Sequence, residues 1–241
     1  MGDEAVRAAP STVRGTSRRS ARRTATTLAL ALCGMAALTG AGMVGASWPT
    51  GASSPPPQPP AAAAPPSPSQ QAPDASPDAT PNRSALAASP PSRITIPRIG
   101  VRADVLALGV NDDGTVQVPP LDQAMNAGWY KLGASPGELG NAVIMGHVDS
   151  AKIGPAVFFR LGELRPGDTV SVERADRTEV TFQVDGLKSY PKDQFPTELV
   201  YGPSDRASLR VITCGGRFDE QKRSYTDNVI VFATMTGVRQ R

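Results

Sequence analysis

The feature that most limits the fold of this chain is a proline-rich segment that divides it. Fourteen of the 24 prolines lie between Pro49 and Pro91, whereas all four tyrosines and all six phenylalanines follow residue 128. A packed core needs large apolar side chains, so we expect one folded domain of about 150 residues, residues 93–241. Residues 49–92 show no hydrophobic periodicity and little charge, which predicts a disordered linker.

The first 48 residues have the pattern of a membrane-targeting segment. Residues 1–24 are basic, with arginine pairs at 18–19 and 22–23, and residues 25–46 are uncharged. About 20 apolar residues suffice to span a bilayer as a helix, and arginines on one flank hold that end in the cytoplasm. We therefore expect a single-pass anchor over residues 25–48, with the rest of the chain outside the cell. A cleaved signal peptide is the alternative, because Val44–Ala46 contains the small residues of a cleavage site.

The distribution of charge excludes one class of partner. The net charge of +3 combines +4 in residues 1–48, −1 in residues 49–92, and zero in residues 93–241, where 18 basic residues balance 18 acidic ones. A nucleic-acid-binding domain presents a basic face. The predicted folded domain gives no sign of such a face, so we expect no nucleic-acid partner.

Short apolar or alternating runs, separated by Gly, Pro and Asp, predict a domain built mainly of strands. The candidate strands are Arg93–Pro97, Val101–Gly109, Asn141–His147, Asp168–Glu173, Glu179–Leu187, Ser208–Cys214 and Asn228–Met235, with hairpin turns at Asp113-Gly114 and across Arg174–Thr178. The candidate helices are short: Gln123–Ala127, Ala156–Leu161 and Thr197–Gly202. Many strands with little helix predict an all-β barrel or sandwich.

Two residues are candidates for chemistry because each is unique in its part of the chain. His147 is the only histidine, and Cys214 is the only cysteine besides Cys33, which falls in the predicted anchor. An unpaired thiol is unusual in the oxidising environment outside the cell, so we expect it to have a function. Both residues stand at the ends of predicted strands beside glycines, where rigid scaffolds present reactive groups. A nearby cation, either His147 or Arg223, would lower the pKa of the thiol and make it a nucleophile.

Structural explanations compete with these chemical ones. A lone cysteine at a strand end is often a small buried hydrophobic residue, and a lone histidine is often a hydrogen-bonded structural residue. The sequence has no His/Cys spacing typical of zinc and no loop typical of calcium, so we expect no metal and no cofactor. Taken singly, these residues leave open a non-catalytic wall-binding module, because all-β domains on stalks commonly serve that purpose.

Three motifs taken together favour catalysis. The runs NAVIMGHVDS (Asn141–Ser150), VITCGG (Val211–Gly216) and RSYTDNVIVFATM (Arg223–Met235) resemble those of the sortase family. The form TCGG-x-FD followed by RSY-x-DN resembles the actinobacterial group called class F. The resemblance extends from about Arg93 to Met235. It implies the sortase-type β-barrel of about eight strands with a few short helices, preceded here by the predicted anchor and linker.

The resemblance also implies a reaction and its partners. Sortases are membrane-anchored cysteine transpeptidases that cleave an LPxTG-like sorting signal between Thr and Gly. They hold the acyl group as a thioester and transfer it to an amine of a cell-wall precursor. The implied partners are secreted proteins with a C-terminal sorting signal, the cell-wall amine, and the membrane through the N-terminal helix. A thiol hydrolase on the same scaffold, with water as the acceptor, is a second possibility.

The same resemblance assigns roles to particular residues. Cys214 matches the nucleophile, His147 the general acid/base, and Arg223 the arginine that binds the substrate or the oxyanion. Thr213 matches the residue before the nucleophile and is a candidate for substrate binding. Arg217 is a rival for the arginine role. We favour Arg223 because we expect it to open the last strand, whereas Arg217 is expected in a mobile loop.

Overall fold

The fold is described by a computed structural model that covers residues 55–60 and 85–241. The predicted basic N-terminus (residues 1–24) and the predicted anchor (residues 25–48) lie outside the described residues. Within the two described ranges, no helix is both long enough and apolar enough to cross a membrane.

Ten strands are present in the described residues, and eight of them close into a barrel. In chain order they are β1 (Pro91–Ile96), β2 (Val101–Leu108), β3 (Ala127–Tyr130), β4 (Gly140–Met145), β5 (Asp149–Ser150), β6 (Gly154–Pro155), β7 (Thr169–Arg174), β8 (Thr178–Pro191), β9 (Ala207–Asp219) and β10 (Ser224–Gln240). The order around the barrel is β1-β2-β3-β4-β9-β10-β8-β7, and β5 pairs only with β6. The all-β barrel of about eight strands is therefore confirmed.

The central strands β4 and β9 are buried on both faces. Ala142 and Ile144 of β4 point into the main apolar core inside the barrel, while Val143 and Met145 join a second apolar cluster on the outer face. Successive side chains of a strand alternate between faces, so a strand covered on both sides reads as a continuous apolar run. This explains the uninterrupted apolar run from residue 142 to residue 145.

The outer cluster is covered by the one α-helix in the described part of the chain, α1 (Thr197–Tyr201). It confirms the helix expected at 197–202. The other two helical expectations are wrong. Ala127 begins β3, and residues 156–161 form turns that end in a 3-10 helix at Leu161–Glu163. Runs of five or six residues are too short to sustain a helix by themselves, and packing decides their conformation.

The expected hairpin around Asp113-Gly114 is reduced to a turn. Only an isolated bridge joins Val110 to Val116, and Gly114 takes the left-handed conformation (φ 81°) that the turn requires. By contrast, the hairpin expected across residues 174–178 is present as the β7–β8 connection, which confirms that prediction.

Residues 85–90, which lie in the predicted linker, already contact the barrel. The N–H of Leu86 donates to the carbonyl of Gly137 at 2.8 Å, and the N–H of Ser89 donates to the hydroxyl of Ser135 at 3.0 Å. These hydrogen bonds hold the residues immediately before β1 against the barrel.

A buried arginine reinforces this closure. The side chain of Arg174 is 1% exposed and donates to the carbonyls of Ala87 and Pro136 and to the carboxylate of Asp176. The hydrogen bond from Arg174 lowers the pKa of Asp176 to about 2. A buried guanidinium needs such partners, because an unpaired charge in the interior is costly.

Candidate active site

The parallel pairing of β4 with β9 brings His147 and Cys214 together. Met145 pairs with Ile212, and the N–H of Gly146 then donates to the carbonyl of Ile212 at 3.1 Å. Cys214 lies two residues beyond Ile212 within β9 and so falls on the outer face, and His147 lies two residues beyond Met145, just after β4 ends. Neighbouring strands are about 4.8 Å apart. The register therefore brings the backbone of His147 close to that of Cys214, where the pairing of β4 with β9 ends.

A hydrogen bond from Thr213 links β9 to the end of β4. It is 4% exposed, and its hydroxyl donates to the carbonyl of Gly146 at 2.9 Å. The bond joins the residue before the thiol to the residue before the imidazole. This contact gives Thr213 a positioning role, and its predicted contact with substrate stays a prediction.

The imidazole of His147 is held by a second contact. Its Nε2 lies 2.6 Å from the carbonyl oxygen of Pro119, a buried residue. A carbonyl oxygen can only accept, so Nε2 carries the proton and donates it. In the neutral ring, Nδ1 is then the nitrogen that can accept a proton, which is the state a general base beside a thiol requires.

The thiol of Cys214 is half-buried and forms no disulfide within the described residues. On the side away from β4, its partner in β10 is Asn228. β9 and β10 thus place Cys214 beside Asn228, and His147 lies just beyond the end of β4. Asn228 ends the RSY-x-DN motif, but the sequence assigned it no role, because only the register of the hairpin reveals that it lies beside the thiol.

A tyrosine–carboxylate pair near the thiol was also missed. The hydroxyl of Tyr225, in β10, donates to the carboxylate of Asp149, which lies two residues after His147. Burial raises the pKa of Tyr225 above its ordinary value, and the hydrogen bond to Asp149 and the charges of Asp149 and Cys214 raise it further. The pair ties the β9–β10 hairpin to the segment that carries the imidazole, and its members are too far apart in sequence for a local signal.

The two candidate arginines lie elsewhere than expected. Arg217 is part of β9, and its N–H donates to the hydroxyl of Thr226 at 3.1 Å. Arg223 is an exposed residue of the turn before β10, with a left-handed φ of 50°. The stated reason for preferring Arg223 is therefore wrong, because Arg217 occupies the strand and Arg223 the turn.

The structure does not place either arginine against the thiol. Ser224 pairs with Asp219, so the turn begins five residues beyond Cys214, about 16 Å along β9. Within residues 55–60 and 85–241, neither arginine side chain has a hydrogen bond or an ion pair. The arginine role stays a prediction for Arg223, with Arg217 still a rival. The described residues also contain no cluster of His, Cys, Asp and Glu that could hold a metal ion.

A comparison with protein families assigns the chain. The family model described as "Sortase domain" matches residues 94–236, which span most of the barrel. The chain therefore belongs to the sortase family, whose members are cysteine transpeptidases. No curated protein matches the sequence significantly.

Several solved structures are similar to this chain. A pilus-related sortase C of Group B Streptococcus is 18% identical, with a TM-score of 0.47 over 64% of this chain and 70% of that one. A sortase C of Streptococcus pneumoniae is 19% identical, with a TM-score of 0.46 over 60% and 65%. A sortase D5 transpeptidase of Clostridium perfringens is 24% identical, with a TM-score of 0.44 over 60% and 78%. At these identities, no substrate or partner is transferred to this chain.

Proposed function

We propose that this chain is a membrane-anchored cysteine transpeptidase. It cleaves an LPxTG-like sorting signal between Thr and Gly and transfers the acyl group from a Cys214 thioester to an amine of a cell-wall precursor. The observation that supports the proposal is the parallel pairing of β4 with β9, which ends two residues before His147 and two residues before Cys214. Membership of the sortase family supports the reaction class.

The first half-reaction consumes the sorting signal. Nδ1 of His147 accepts the thiol proton, and the sulfur of Cys214 attacks the carbonyl carbon of the threonine. An arginine, Arg223 or Arg217, donates to the oxyanion that forms. The carbon–nitrogen bond then breaks, and the glycine amine leaves with the proton from His147, so that a thioester remains on Cys214.

The second half-reaction regenerates the thiol. The amine of the cell-wall precursor attacks the thioester and forms a new amide bond while the sulfur departs. His147 accepts the proton lost by the amine and returns it to the sulfur of Cys214. The thioester conserves the energy of the cleaved amide, so transfer to an amine needs no other energy source, provided that water is kept away until the amine arrives.

Two finer assignments complete the proposal. The resemblance of the TCGG-x-FD and RSY-x-DN motifs to those of the actinobacterial class F group supports assignment to that group. The basic residues before the uncharged stretch at 25–46 support a retained anchor, with the barrel outside the cell. Protease protection of the intact chain in sealed cells tests this orientation: we expect the barrel to be cleaved by external protease, and full protection would contradict it.

Mass spectrometry of the full chain after exposure to an LPxTG peptide tests the chemistry. We expect an adduct equal in mass to the peptide up to its threonine, located on Cys214 and lost on addition of hydroxylamine or an acceptor amine. Cys214→Ala should abolish both the adduct and peptide cleavage, whereas Cys33→Ser should leave both unchanged. Full turnover by Cys214→Ala would exclude thiol catalysis and favour a wall-binding module. Equal release of hydrolysed peptide with and without amine would indicate a hydrolase.

A further inference from the structure

Asp149 is a half-buried carboxylate beside the candidate catalytic pair, and the proposed mechanism gives it no role. It lies two residues after His147, so the Cα atoms of the two residues are at most about 7 Å apart. The carboxylate accepts a hydrogen bond from the hydroxyl of Tyr225. Within residues 55–60 and 85–241, its side chain forms no ion pair and no other hydrogen bond. The second carboxylate oxygen is therefore free to accept from a ligand.

The basic residue nearest to Asp149 in the sequence does not fill this position. Lys152 is exposed in the turn between β5 and β6, and in the described part of the chain its side chain forms no ion pair with Asp149. Its N–H donates instead to the hydroxyl of Ser150 at 3.2 Å. A carboxylate that is partly removed from water is stabilised by a cationic donor, because charge-assisted hydrogen bonds are the stronger ones. Asp149 is therefore suited to a cation that arrives with a substrate.

Tyr225 holds the carboxylate in place near the thiol. Its ring packs edge-on against Phe218, with centroids 5.2 Å apart, while its hydroxyl donates to Asp149. Tyr225 lies in β10, three residues before Asn228, the partner of Cys214. Burial raises the pKa of Tyr225, and the hydrogen bond to Asp149 and the charges of Asp149 and Cys214 raise it further. The carboxylate and the thiol therefore lie on two sides of the same tyrosine.

The proposed reaction brings an amine to the same region twice. The leaving glycine amine takes its proton from His147, and the incoming amine gives a proton to His147, so each nitrogen comes within hydrogen-bond reach of the imidazole. Nε2 of His147 donates to the carbonyl of Pro119 at 2.6 Å, which leaves Nδ1 for this exchange. The acceptor therefore passes close to the segment that carries Asp149. An alkylamine of the lysine type has a pKa of about 10.4, so it arrives as an ammonium ion at neutral pH.

We propose that the carboxylate of Asp149, oriented by Tyr225, binds the ammonium group of the acyl acceptor and so favours a charged alkylamine over water. The inference rests on the proposed function, because the acceptor is the second substrate of that reaction. The bound ammonium releases one proton to solvent, and the amine then attacks the thioester carbonyl. It loses a second proton to His147, which passes it to the departing sulfur of Cys214. One amide bond forms and one thioester bond breaks.

Competition between an amine and water for the thioester tests the proposal. The full chain receives an LPxTG peptide and increasing Nα-acetyl-lysine amide, and the ratio of amine product to hydrolysed product is measured. Both products come from the same thioester, so the ratio does not depend on how fast the thioester forms. Asp149→Asn keeps an acceptor for the hydroxyl of Tyr225 but removes the charge. We expect it to lower the ratio about tenfold.

An uncharged nucleophile and a matched variant control this measurement. Hydroxylamine is neutral at neutral pH, so its product ratio in Asp149→Asn should stay within about twofold of the parent value. Glu220 is an exposed carboxylate in the turn of the β9–β10 hairpin, and Glu220→Gln should leave both ratios unchanged. Tyr225→Phe frees the carboxylate and should lower the alkylamine ratio about threefold. It stays informative even if Asp149→Asn disturbs β5.

The acyl adduct on Cys214, followed by mass spectrometry in the same proteins, separates the two proposals. A loss confined to the alkylamine supports the inference. Equal alkylamine ratios in parent, Asp149→Asn and Tyr225→Phe, with the adduct present in each, overturn the inference and leave the proposed function intact. A parallel loss with the alkylamine and with hydroxylamine also overturns it, because the effect then does not depend on charge. Absence of both adduct and cleavage in the parent contradicts the proposed function, and the inference with it.

Discussion

The two sides of the candidate nucleophile differ in how firmly the fold holds their side chains. On the β4 side, His147 directly follows Gly146, which is bonded to β9 through Thr213, and the Nε2 of His147 lies 2.6 Å from the carbonyl of Pro119. On the side of the β9–β10 hairpin, Arg217 and Arg223 are exposed, and in the described residues their side chains have no partner. A proton-transfer group must be placed in advance to act. A group that binds charge on the substrate can be ordered by the substrate itself.

The largest expected effect comes from replacing His147, which lies on the firmly held side. His147→Gln removes the base while keeping a polar side chain of similar reach, and kcat/KM for an LPxTG peptide should fall by about 10³- to 10⁴-fold. The peptide-cleavage assay checks this, with the melting temperature as control. A loss of tenfold or less in a folded variant would mean that the imidazole is not the proton-transfer group.

The next largest effect tests which of the two exposed arginines donates to the oxyanion. Removal of one oxyanion donor costs about 10²- to 10³-fold in kcat. We expect that loss for Arg223→Ala, with Arg217→Ala as the matched variant in the same hairpin. Arg217 and Arg223 both lie in exposed positions, so neither change should unfold the barrel. The reverse ranking would assign the role to Arg217, and losses below threefold in both would remove an arginine from the mechanism.

The sequence predicts which residue types matter more readily than it predicts the register of the strands that carry them. Val170 and Val172, and Val180 and Phe182, alternate with polar residues, so the β7–β8 hairpin could be predicted from a period of two. β3 has only four residues and was missed, since so short a run carries no readable period. Barrel closure and its parallel pairs depend on contacts between distant segments, which local patterns do not encode.

The candidate site follows the same division. His147 and Cys214 could be predicted because they are unique and end strongly apolar strands. The place of the arginines could not be predicted, because it depends on where the hairpin turns and on the irregularity between Tyr225 and Asp227. Gln58 lies in a low-complexity stretch with no structural period. The sequence therefore gave no signal of the hydrogen bond that its Oε1 accepts from the N–H of Gly216 in β9.

A moderate effect is expected from the polar neighbour of the thiol in β10. Asn228 pairs with Cys214, and cross-strand partners have Cβ atoms about 5 Å apart, within reach of a peptide bound at the thiol. Asn228→Ala should lower kcat/KM by about tenfold, and Asn228→Asp by more, because a carboxylate disfavours the oxyanion. Steady-state kinetics check both variants. Full activity in Asn228→Asp would show that this side chain does not face the reacting carbonyl.

A stability effect tests the bond that joins the two strand ends. Thr213→Val keeps the shape but leaves the carbonyl of the half-buried Gly146 without its donor, which costs about 1–3 kcal/mol of unfolding free energy. Thr213→Ser retains the hydroxyl and should recover most of that loss. Denaturant unfolding measures both. Equal stability of the valine and serine variants would mean that the hydroxyl does not hold the strand ends together.

The smallest expected effect concerns the link between the two sides. Tyr225→Phe removes the bond to Asp149 but keeps the ring that packs edge-on against Phe218, with centroids 5.2 Å apart. The hairpin and the segment after His147 then lose their shared contact, so kcat should fall about threefold while KM stays near the parent value. Asp149→Asn, which can still accept the bond, should lose less. An equal loss in both variants would mean that the charge of Asp149, and not its link to the hairpin, sustains the rate.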